Sequence, residues 1–195
     1  MERSVFMLLN LLCAVLLASA QAGAATPPVA DVRAMQAELA GLVNAYRREH
    51  RLPAVPLSRS LTGVAELHVR DLELNRPDSG TDPRGQRCNT HSWSSAGPWT
   101  PVCYTPDHRF GSRMWSKASE ITGGAYRGDG FEIAAGGPGF AMTPAFALSS
   151  WQASPLHNAV ILQQGKWREP WRAMGVGVYG GYAVIWFGRE PDRAR

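Results

Sequence analysis

Two runs rich in β-branched and aromatic residues, Gly175 to Tyr179 and Tyr182 to Phe187, are separated only by Gly180-Gly181. A two-residue glycine connection between such runs signals a tight hairpin, because the favoured turns need positive φ angles that glycine adopts freely. The chain before it reads differently. From Asp31, a candidate N-cap, Met35, Leu39, Leu42, Val43 and Tyr46 recur at helical spacing until Pro53. A second helix is expected from Ser58 or Ser60, with Leu61, Ala65, His68 and Leu72 as its apolar stripe and Pro77 as its stop. A third, short helix covers about 142–153 and ends at Ser154-Pro155, since proline disfavours helical backbone in the residue before it. Val160 to Leu162 reads as a further short strand. Helices first and a hairpin last predict an α+β layered domain rather than a doubly wound sheet.

A length of 195 residues suits one domain, and a 45% hydrophobic fraction supplies its core. The 20 glycines and 14 prolines imply an ordered domain rich in turns. Arg3, the apolar stretch Val5 to Ala18, and the small residues at 18–20 and 22–24 form the three parts of a secretory signal peptide. Residues 1–24 are read as that leader, cleaved after Ala20 or Ala24, and 25–195 as the mature domain. The apolar stretch is short for a membrane span and Asn10 interrupts it, so the mature form is not expected to span a membrane. Leu12 before Cys13 is not the small residue a lipoprotein signal needs. Cys88 and Cys103 then remain, and an even count in an exported chain suggests a disulfide, with two free thiols as the alternative.

The net charge of +4 is mild and scattered. Its densest patch, Arg47-Arg48 with His50 and Arg51, closes the first helix, where cations favour the negative end of the helix dipole. No basic stripe with interleaved aromatics accompanies it, which argues against a nucleic-acid partner. The glycines of Gly175-Val-Gly177-Val-Tyr-Gly180 lie in the hairpin and do not open a helix, so they are no nucleotide fingerprint. Cys88-x-x-His91 lacks the second ligand pair of a structural zinc site. His68, on an apolar helical face, reads as a buried, hydrogen-bonded structural histidine.

Four segments in order carry a family resemblance. They are Leu42 to Pro53 with the following helix through His68 and Asp71; Thr90-His91-Ser92; Gly130-Phe131-Glu132-Ile133-Ala134; and Trp151-Gln152-Ala153-Ser154-Pro155-Leu156-His157-Asn158. Together with the closing segments Gly175 to Val178 and Trp186 to Gly188, they resemble the CAP superfamily (cysteine-rich secretory proteins, antigen 5, pathogenesis-related proteins) in its bacterial form. The resemblance implies a three-layer α-β-α sandwich with a central, mostly antiparallel sheet, and a cleft holding His91, Glu132 and His157. Glu120 offers a competing alignment for the cleft glutamate. The second glutamate of eukaryotic members is replaced here by Ser154.

Such a cleft has three possible uses. His91 and His157 could bind Zn²⁺ or another divalent ion, with water filling the remaining positions. Glu132 could orient a histidine or act as general base, giving a metal-assisted hydrolase of cell-wall or protein substrates with His91, Glu132 and His157 as catalytic residues. The third use, favoured over catalysis, is binding alone: an exported module, secreted or periplasmic, meeting an envelope glycan, lipid or protein. An apolar groove for lipid is one form of it. Trp151, Trp186 and Trp115 are expected in the core, whereas Trp93 and Trp99, in the loop bracketed by the cysteines, are candidates for an exposed aromatic surface or for folding inward.

Overall fold

A computed structural model describes residues 29–193. The expected signal peptide and its cleavage sites lie outside the described residues. Helix α1 spans Val29–Glu49, and Asp31 sits inside its first turn instead of capping it. Helix α2 (Arg59–Asn75) is capped by Ser58, whose extended backbone lets its Oγ accept from the Leu61 amide at 2.9 Å. Asp192, from the C-terminal tail, accepts from both serine hydroxyls and from the Ser60 amide, placing a carboxylate on the positive end of α2.

After two short helices, α3 (Gly111–Trp115) and α4 (Lys117–Ile121), come strand β1 (Gly130–Gly136), α5 (Pro144–Ala153), α6 (Pro155–Ile161), β2 (Ala173–Tyr179) and β3 (Tyr182–Gly188). The sheet has the order β1-β3-β2, antiparallel throughout, and Gly180 turns the β2–β3 hairpin at φ +55°. Its two faces follow the period-2 alternation of strands. Phe131, Ile133, Met174, Val176, Ile185 and Phe187 pack on α1, α5 and α6. Ala134, Ala173, Val184 and Trp186 pack on α2, α3 and α4. This is the three-layer helix–sheet–helix sandwich that the four segments imply.

The glycines at 175 and 177 have a packing role. A Cβ on Gly175 would collide with the Leu61 carbonyl, and one on Gly177 with that of Ala65. Both point at α2, so the helix lies directly on β2.

Two expectations need correction. Val160 to Leu162 is not a strand: it forms the end of α6 and its cap. Pro155 occupies the first turn of α6, where its fixed φ suits a helix and its missing N–H costs nothing, and that start outweighs three residues of β propensity. Arg47 is not part of a surface charge patch. Its side chain is fully buried and donates to the carbonyls of Pro53 and Ile161 and to Gln163.

Cys88 and Cys103 form a disulfide with Cα atoms 4.9 Å apart. Their sequence separation of 15 corresponds to about 3 kcal/mol of lost unfolded-chain entropy. Cys88→Ser/Cys103→Ser is therefore expected to lower unfolding free energy by about 3 kcal/mol in urea titrations. A loss under about 0.5 kcal/mol would show that the bridge does not constrain the unfolded chain.

Candidate functional site

The site is built at β1, one of the two outer strands, and residues on both of its faces reach it. Glu132 points to the α2 side of the sheet, paired across the strands with Trp186. His68, in the apolar stripe of α2, meets it there: His68 Nδ1 lies against Glu132 Oε1, with both side chains fully buried. The ring stacks on Trp93 at 4.1 Å between centroids, and its Nε2 donates to the Ser92 carbonyl at 3.0 Å. One turn further along α2, the buried Asp71 accepts from the Ser94 amide at 2.8 Å and from its hydroxyl. His68 and Asp71, three residues apart on one helical face, thus clamp the loop at 92 and 94. The disulfide and the Trp93–Val102 bridge hold the rest of that loop.

His91 is carried to Glu132 by the same loop. Its Nδ1 donates to Glu132 Oε2 at 2.7 Å, so both carboxyl oxygens are taken by imidazoles. Burial pushes Glu132 upward, but the charge and hydrogen bond of His68, followed by those of His91, outweigh it and hold the carboxyl below its ordinary value. His157, on the first turns of α6, faces the same cavity, and its ring forms no hydrogen bond among the described residues. Burial lowers His157 from the ordinary imidazole value, His91 lowers it further, and Glu132 opposes both.

The cavity measures about 350 Å³ and runs outward from the two imidazoles. Met114 and Trp115 of α3, Phe131 of β1, Leu156 and Val160 of α6, and Trp167 form its apolar walls. Tyr104 donates to His108 Nδ1 at 2.9 Å on the opposite rim, and Lys166 lies 4.9 Å over the Trp167 ring. Leu156 lies at the mouth, 75% exposed.

The residues expected at the cleft, His91, Glu132 and His157, line this one cavity. Glu120 does not: it accepts from Lys117 and from the Thr100 amide on another face. Ser154 precedes α6 in extended conformation and its side chain makes no capping bond. Trp93 is buried and Trp99 is partly buried, donating to the Ser94 carbonyl at 2.9 Å, so the loop tryptophans fold inward. Trp115, expected in the core, instead lines the cleft half-buried. The sequence marks His68 only as a buried, hydrogen-bonded structural residue. Its place on the same helical face as Leu61, Ala65 and Leu72 gave its burial but not its partner, 64 residues away.

A divalent ion finds few donors here. Glu132 is engaged twice, and among the described residues no group of three His, Cys, Asp or Glu is placed to hold a metal. His91 and His157 would supply two of the four ligands of a tetrahedral zinc site. The donor set does not fit a protein-held metal.

The pH dependence follows from His157. The unfolded chain protonates this ring near the ordinary value of 6.5 and the folded chain only at lower pH. Below about 6.5 the unfolded state binds more protons, so stability present at neutral pH is lost as pH falls through the folded value. The thermal midpoint is expected to drop between pH 7 and pH 5, with a shallower slope in His157→Asn. Identical slopes in the two proteins would remove His157 from this account.

A helix–sheet–helix sandwich with a histidine–carboxylate cleft at its sheet edge is the class of domain that fold and site define. The model of the CAP, cysteine-rich secretory protein family matches residues 40–182, and the chain belongs to that family. No curated protein matches its sequence. Among solved structures it is similar to an extracellular protein containing an SCP domain from Bacillus anthracis, at 18% identity and a TM-score of 0.55, over 84% of this chain and 45% of that one. It is also similar to a cysteine-rich secretory protein from Staphylococcus aureus, at 16% identity and a TM-score of 0.51, over 84% of this chain and 40% of that one. An outer surface protein of Borrelia burgdorferi aligns at 13% identity and a TM-score of 0.52, over 85% of this chain and 98% of that one. The chain thus spans under half the length of the first two, and these likenesses concern the fold. No helix among the described residues is long and apolar enough to cross a membrane.

Proposed function

We propose that this protein is exported, to the periplasm or beyond, and that its cleft binds a small ligand with an apolar body. The observation that carries this reading is the character of the cavity. Its walls are largely aromatic and aliphatic, its carboxylate is engaged by two imidazoles, and His91 and His157 face it, with Asn89, His108 and Lys166 as further polar groups of the lining. Aromatic and aliphatic walls with a few placed polar groups suit a ligand that has an apolar body and a polar handle. The leader-like N-terminal pattern, the disulfide and the extracellular or surface nature of the similar proteins support export.

1-Naphthol is a suitable probe, and calorimetry should give saturable 1:1 binding. Trp167→Ala and Leu156→Asp, at the wall and mouth of the cavity, should each weaken it by about tenfold or more. Unchanged affinity in both variants would place binding elsewhere.

A hydrolase is the second reading, and the carboxylate behind His91 favours it, since a ring oriented in this way can serve as general base toward water. His157→Ala should then abolish turnover of peptidoglycan fragments or peptides while the fold persists. Turnover that survives this change would end the hydrolase reading of the cleft.

A further inference from the structure

The Ser92 carbonyl, His68, Glu132 and His91 form one continuous hydrogen-bond chain. Its polarity is set at the buried end. A carbonyl oxygen only accepts, so His68 Nε2 carries a proton. Nδ1 of the same ring lies against Glu132 Oε1, and one further proton is shared between these two atoms. Whichever of them holds it, that proton lies between Nδ1 and Oε1, and Oε2 is left as an acceptor. His91 Nδ1 must therefore be the donor to Oε2. Neutral His91 then has a lone pair on Nε2, and that atom makes no hydrogen bond among the described residues. Its ring lines the cavity.

We propose that His68 is a positioning residue which, through Glu132, holds His91 as the Nδ1–H tautomer, so that the cleft presents an imidazole lone pair and selects apolar molecules bearing a hydroxyl or N–H donor. The ligand part of this inference rests on the cleft-binding reading above. Several features suit His68 to the task. Stacking on Trp93 and the edge of Trp186 fix its plane, and the Ser92 carbonyl fixes its rotation. A carboxyl held at Oε1 by such a ring cannot swivel away from His91. The neighbouring clamp, Asp71 to Ser94, restrains the same loop but is not part of the chain of hydrogen bonds.

The test is long-range ¹⁵N–¹H NMR of the histidine rings at pH 7.5, together with a pair of probes. Wild-type His91 should show the Nδ1–H pattern. 1-Naphthol should bind about tenfold tighter than 1-methoxynaphthalene, which keeps the rings and lacks the donor, as expected for one net hydrogen bond. His68→Phe removes the main group that keeps the buried Glu132 ionised. The carboxyl should then take up a proton that can be donated from Oε2 to His91 Nδ1, letting both His91 tautomers populate and bringing the two affinities together. His68→Gln, whose amide still donates to Glu132, should restore the wild-type pattern. Asp71→Asn, which loosens the loop alone, should leave the tautomer unchanged. An Nε2–H tautomer in the wild type, or equal affinities of the wild type for the two probes, overturns the proposal even if His68→Phe fails to fold. Absence of binding by either probe, with the Nδ1–H tautomer intact, would instead sink the cleft-binding reading and with it the ligand selectivity.

Discussion

Glu132→Ala is expected to cost about 3–5 kcal/mol of unfolding free energy, the range for removing one partner of a buried charged pair. The carboxyl is the common acceptor of two imidazoles and is buried with His68 between the sheet and α2. Without it, a protonated or unpartnered His68 is sealed among Trp93 and Trp186 with no water to replace the lost bond. The cost comes chiefly from this stranded group, not from the worth of the intact pair. Glu132→Gln keeps the volume and an acceptor oxygen, so it should lose less. The contribution depends on pH as well. The carboxyl is held below its ordinary value of 4.5, so its stabilisation is present above that pH and is lost as pH falls through the lower folded value. Urea unfolding at pH 7 with a loss under about 1 kcal/mol for Glu132→Ala would mean that water reaches the pair.

Arg47→Ala is the second large loss expected, about 3 kcal/mol or more, since each hydrogen bond to a charged donor contributes roughly 1.5–3 kcal/mol and its acceptors stay buried. The guanidinium joins three places: the end of its own helix, the Pro53 carbonyl after it, and the end of α6 through Ile161 and Gln163. It is buried, among the described residues no carboxylate pairs with it, and burial lowers it to about 10. Carbonyls at the negative end of α6 take the place of a counter-ion. His157 rides on that helix, so Arg47→Ala should also weaken 1-naphthol binding. Arg47→Lys keeps the charge but loses the fork that reaches three acceptors, and it should recover only part of the stability. Full stability in Arg47→Lys would show that the charge alone matters.

The parts of the fold that were legible in the sequence are those with a strong local period or a strong turn. The stripe through Leu61, Ala65, His68 and Leu72 is wholly buried in α2, and Gly180 turns the hairpin as its neighbours require. Strand β1 was not legible as a strand. Both its faces are covered, so Phe131, Ile133, Ala134 and Ala135 give an apolar run without alternation, and Glu132 interrupts it for the sake of two distant histidines. Arg47 misled for a related reason. Cations at a helix end are normally solvated, and only the return of α6 some 114 residues later buries this one. The three cleft residues follow from the resemblance of the four segments to the family. The aromatic wall does not, since Trp115, Phe131 and Trp167 are brought together by the packing of α3, β1 and the turn after α6, not by any pattern along the chain.

The central claim, that the cleft at the edge of β1 is a binding site for an apolar small molecule, is tested most directly by mapping ¹H–¹⁵N amide shifts of the mature protein during a 1-naphthol titration. Saturable shifts concentrated at His91, Trp115, Phe131, Trp167 and the 156–160 turns of α6 are the predicted result. Shifts that cluster instead in the groove between α1 and α2, around Arg33 and Tyr179, or that never saturate, would contradict it.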